Sequence, residues 1–95
     1  MAMSVVVIIA GLATGARTAW DGQYVRGWDP HTKEGTLKLW PTKELKRAKK
    51  FKDIAEVFAE WKTVSDRQPV RHDGKPNRPL TAMNISIEGD HDQNA

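Results

Sequence analysis

Val5, Val6, Val7, Ile8 and Ile9 form an unbroken β-branched run near the start of the chain. Branching at Cβ crowds χ1 in a helix and suits a pleated backbone, so the run demands a strand. No polar residue interrupts it, so the strand is expected to be central and buried on both faces. Two other readings of MAMSVVVIIAGLATGART fail on chemistry. A secretory signal needs a positive n-region, and the first basic side chain is Arg17. A phosphate loop needs G-x-x-x-x-G-K-[ST]; Gly11-x-x-x-Gly15-Ala-Arg-Thr is one residue short and lacks the lysine. The apolar stretch is also far below the roughly 20 residues that span a bilayer, so no membrane partner is expected.

Turn and strand signals organise the rest of the chain. Asp21-Gly22 favours a tight turn, and residues 23–28 read as a second strand stopped by Asp29-Pro30. Thr36-Leu37-Lys38-Leu39-Trp40 alternates polar and apolar, a half-buried third strand expected to end at Pro41. Thr42 is placed to cap a short helical turn over 43–48. Ile54, Val57, Phe58 and Trp61 then fall at i, i+3, i+4 and i+7, one stripe of a helix expected to cover the core. Asp53 and Glu56 stand at capping-box spacing before it. Residues 65–78 are rich in proline, glycine and charge and read as a loop. Thr81, Met83, Ile85 and Ile87 alternate with smaller or polar residues, giving a last strand expected beside the first.

The expected architecture is one α+β domain over residues 1–88, ordered β-β-β-α-β. An antiparallel sheet of about four strands carries one amphipathic α-helix packed on one face. Residues 89–95 read as a disordered acidic tail.

Cysteine is absent from the 95 residues, which excludes disulfides, thiolate zinc sites and cysteine nucleophiles. It also fits a reducing cytoplasm. His31, His72 and His91 are scattered without metal-ligand spacing. No serine, histidine and acid form a triad pattern, and no carboxylate pair brackets a cleft. No enzyme, metal or cofactor is expected.

Net charge is +3, but its distribution matters more. Lys43, Lys46, Arg47, Lys49, Lys50 and Lys52 crowd one stretch, opposed there only by Glu44. Cations just before a helix oppose its dipole, so their placement suggests an anion-binding face. Nucleic acid, an acidic protein surface, and a plain solvated face are the three readings. Arg71, Lys75 and Arg78 extend the basic face if their loop folds beside the run. Alternatively, Arg78 is structural, pairing with Asp73 or with a helix C-terminus. Trp20, Trp28 and Trp40 lie at or near strand ends, as core edges or, if exposed beside cations, as interface anchors.

Three pieces carry a resemblance: Trp20-Asp21-Gly22-Gln23-Tyr24-Val25 with Asp29-Pro30; Ala48-Lys49-Lys50-Phe51 before a helix ending in Trp61; and Asp73-Gly74-Lys75-Pro76-Asn77-Arg78-Pro79-Leu80-Thr81-Ala82. Together, over about residues 20–88, they resemble a group of small accessory proteins encoded by bacteriophages and prophages. The chain departs from that group in its more apolar first strand and its acidic tail. The group has no catalytic residues to carry over. The resemblance implies an accessory phage gene of the kind that blocks a host defence, and anti-CRISPR proteins are similar in size and in lacking catalytic motifs.

The expected function is therefore stoichiometric inhibition of a host nucleic-acid-directed defence complex, in the cytoplasm of the infected bacterium. The expected partner is a host protein or ribonucleoprotein, met through these basic residues. The alternative is a small, non-specific DNA- or RNA-binding protein. The oligomeric state stays open.

Overall fold

The computed structural model describes residues 4–90. Strand β1 spans Val5–Leu12, β2 Tyr24–Asp29, β3 Lys38–Thr42 and β4 Met83–Gly89, with one helix, α1, at Ile54–Trp61. The strands form a single antiparallel sheet in the order β3-β2-β1-β4. The β-branched run is thus central, and the first and last strands are neighbours. The domain is a small α+β fold, as the sequence predicts.

One face of the sheet holds the core. Val7 and Ile9 of β1, Val25 and Trp28 of β2, and Met83 of β4 pack there with Phe51, Val57 and Leu80. Burial of β1 on both faces holds at Val6 and Val7 but is lost at Ala10, which is exposed on the side away from α1. Gly11 lies where β1 and β4 shift register, with φ +91°, and a Cβ there would stand 3.1 Å from the Ala16 carbonyl. Only glycine fits that exit turn.

Three sequence-based boundaries need correction. Pro41 lies within β3 and does not end it. β3 is an edge strand, where a missing N–H costs no ladder bond if it faces outward. The last strand begins at Met83, because Pro79–Ala82 coil into a 3-10 turn first. Order also continues past residue 88: Gly89 pairs with Val5, the Asp90 amide donates to the Ser4 carbonyl, and Asp90 is only 2% exposed. The remainder of the expected acidic tail, with His91, lies outside the described residues.

The helix docks on a different side from the one expected. Asp53 caps it, its Oδ1 accepting from the Glu56 amide at 2.9 Å. Of the four-residue stripe, only Val57 is fully buried and Trp61 partly so; Ile54 is 52% and Phe58 39% exposed. Two indoles account for the rotation. The Trp61 Nε1 donates to the Met83 carbonyl at 3.1 Å, and the Trp28 Nε1 donates to Glu60 Oε1 at 3.0 Å. A buried indole N–H left without an acceptor is costly, so α1 turns Glu60 and Trp61 toward the sheet. Ile54 and Phe58 are left outside.

Candidate functional site

The basic run is not a free surface loop. β1 and β2 splay apart below Ile8 and Tyr24, and residues 49–51 wedge between them. Phe51 exchanges two backbone hydrogen bonds with Val5, each 2.9 Å, while the Lys49 amide donates to the Val25 carbonyl at 2.9 Å. Phe51 faces the core opposite Val5, so Lys50 must point to the other side of the sheet. There its Nζ meets Asp90 Oδ1 at 3.1 Å and donates to the Leu45 carbonyl at 2.9 Å. Ser4 Oγ donates to the other Asp90 oxygen. These contacts place the 3-10 turn Leu45–Arg47 on the sheet face opposite α1.

The cations of this run therefore have separate fates. Lys50 is structural. Arg47 pairs with Glu44 at 2.6 Å on the exposed turn, where such a pair contributes little. Lys49 leans over the Phe51 ring, 5.3 Å from its centroid. Lys43, Lys46 and Lys52 are exposed and make no ion pair among the described residues. Thr42 Oγ1 accepts from the Glu44 amide and so fixes the start of the turn that carries Lys43 and Lys46.

Arg71, Lys75 and Arg78 gather elsewhere. They line an open groove of about 710 Å³ together with Glu34, Thr36, Asn77 and Thr81. Arg78 Nε donates to the Lys62 carbonyl at 2.8 Å, closing the C-terminus of α1, one of its two structural readings. Arg71 pairs with Asp73 at 3.1 Å and approaches Glu34 at 4.0 Å. No hydrogen bond or ion pair among the described residues joins these three to the 43–52 run. The loop that carries them is latched instead to the 30–36 loop. Buried Asn77 donates to the Thr32 and Gln68 carbonyls. Both histidines of the described chain join the latch, His31 meeting Asp66 and His72 meeting Glu34. The His72 backbone N–H, 2.9 Å from Glu34 Oε1, and then its ring hold the Glu34 carboxyl below the ordinary glutamate range. The Lys75 amide does the same for Asp73.

Opposite the docked side, α1 presents Ile54, Ala55, Phe58 and Ala59 to solvent. Lys52 precedes this apolar stripe, and Lys62 ends it with its Nζ 5.6 Å from the Phe58 centroid. On the far side of the sheet Trp40 is 48% exposed, with Lys38 Nζ 5.7 Å from its ring.

Sequence reasoning missed the apolar stripe, although a signal was present. Ile54–Trp61 contains only Glu56 and Glu60 as polar residues, so its apolar surface exceeds what one sheet face can cover. The Lys50–Asp90 pair had no sequence signal. Among the described residues, no three His, Cys, Asp or Glu side chains gather as a metal site needs, and no helix is long and apolar enough to cross a membrane. No protein-family model, curated protein or solved structure matches this chain.

Proposed function

We propose that this protein acts by contact: a phage-type accessory protein that inhibits a host nucleic-acid-directed defence complex by occupying one of its protein surfaces. The observation that carries the reading is the solvent-facing side of α1. Ile54 and Phe58 stand uncovered between Lys52 and Lys62 on a helix whose other side is fixed to the core by Val57, Glu60 and Trp61. An apolar centre with a cationic rim on a rigid element is the composition of a protein interface, and it fits an acidic-rimmed apolar cleft on the partner. With 52% of Ile54 and 39% of Phe58 exposed, covering what remains would supply roughly 0.5–1.5 kcal/mol each. The resemblance to phage accessory proteins supplies the setting, and the cations of the 43–52 run supply long-range steering toward an acidic target.

The test is titration of a sensitive target, captured from host lysate on the immobilised protein and then purified. Inhibition by contact gives an endpoint at a fixed molar ratio, reached at once. Progressive inactivation of a large target excess by trace protein would mean turnover and would end this reading.

A further inference from the structure

We infer that the sheet face opposite α1 carries a second, separate binding surface, for single-stranded nucleic acid, with Trp40 as its stacking platform. Leu39 packs against the core, so Trp40, the next residue on β3, points to the opposite face. The ring rests against β2. Gly27 lies beneath it, where even an added Cβ would stand 3.4 Å from the indole. The residue paired with Trp40 thus puts no side chain under the indole, and it follows the register shift between Val25 and Gly27. Nearly half the residue still faces solvent, and β3 is the edge strand of the sheet among the described residues.

Cations bracket this ring along the same path. Lys38 shares the face of β3 with Trp40, and Lys43 and Lys46 follow on the turn that Lys50 pins to this side. Lys38, Lys43 and Lys46 form no ion pair among the described residues. Four acidic groups share this side: Glu44 is paired with Arg47, Asp90 with Lys50, Asp29 lies across from Lys38 with its Oδ1 accepting from the His31 amide, and exposed Glu88 lies on β4, at the opposite edge. The favoured strand path thus runs along the β3 edge. An exposed indole flanked by ammonium groups matches an unpaired base with phosphates on either side. A duplex keeps its bases stacked and offers that indole nothing, so single strands are the committed ligand.

This inference stands apart from the proposed function, because the purified protein needs no host target to display it. Fluorescence anisotropy with a labelled oligothymidine at low salt is the measurement. Binding is expected, with a clear preference over duplex of the same length and a steep loss as salt rises. Trp40→Ala should weaken it about 5- to 100-fold and Trp40→Phe should recover part of the loss. Lys43→Gln with Lys46→Gln should reduce the salt slope. Phe58→Asp, which removes the helix anchor of the proposed protein interface, should leave oligonucleotide affinity unchanged. Absence of binding at low salt, equal affinity for duplex, or a Trp40→Ala effect below about twofold would each overturn the assignment. A melting curve of each variant shows whether the fold is intact, and Trp40→Phe decides if Trp40→Ala unfolds.

Discussion

The Lys50 ammonium lies 3.1 Å from a carboxylate oxygen of Asp90, and that carboxylate is almost wholly shielded from solvent. One of the cations that looked available for a ligand is thus part of the scaffold. It ties the crossover carrying Lys43 and Lys46 to the end of β4, so the positions of the free cations depend on it. Removing Lys50 takes a charge partner away from a nearly buried carboxylate that keeps its Ser4 hydrogen bond. Lys50→Ala should cost about 1–3 kcal/mol in urea unfolding, whereas Lys46→Ala should stay within about 0.5 kcal/mol. Truncation after Glu88 should be destabilising too, unlike removal of a free tail.

The docking side of α1 gives a second contrast. Val57 is fully buried beside the sheet, whereas Phe58 is 39% exposed and stands outside the core cluster. Val57→Ala should therefore cost about 2 kcal/mol, and Phe58→Ala less than about 1 kcal/mol, although phenylalanine is the larger residue. If Phe58→Ala proves the more damaging, the helix is rotated so that Phe58, and not Val57, meets the sheet.

Glu34 sets an acid limit on the latched loops. Its folded-state pKa lies below the ordinary value of 4.5, chiefly because the His72 backbone N–H donates to it. A carboxyl with a depressed folded pKa stabilises the fold above its unfolded pKa, and that contribution disappears as pH falls through the folded value. Glu34→Gln should therefore flatten the pH dependence of stability below about pH 4.5. His72→Ala removes the ring but keeps the backbone donor, so an NMR titration should show Glu34 still depressed, by a smaller margin. A full return to the ordinary value would show that the ring dominates.

The sheet was legible from sequence because its signals are local. Five consecutive β-branched residues, alternation through Met83-Ile85-Ile87, and the Asp-Gly and Asp-Pro stops each act within a few positions. Asp53 as a cap was legible for the same reason, while for Arg78, which reaches a carbonyl sixteen residues away, the helix C-terminus is one of several readings the sequence leaves open. What escaped depends on partners far apart in the chain. The rotation of α1 is set by Trp28 and Met83, and the fate of Lys50 by Asp90. A stripe read from spacing alone gives the apolar side of a helix, but not which half of a broad apolar surface finds the core. The division of the cations between groove, wedge and exposed turn likewise results from the splay between β1 and β2, which no local pattern encodes.

The uncovered side of α1 is, on this reading, where the protein grips its target. Isothermal titration of the captured target with wild type and with Phe58→Asp probes that grip directly. Wild type should bind at a fixed stoichiometry, and the variant should lose roughly 30-fold or more in affinity, as expected when an interface anchor worth about 2 kcal/mol or more is lost. The variant's unfolding midpoint should stay close to wild type, since the side chain does not carry the core. Unchanged affinity in a folded Phe58→Asp protein would contradict the assignment of this helix face as the interface.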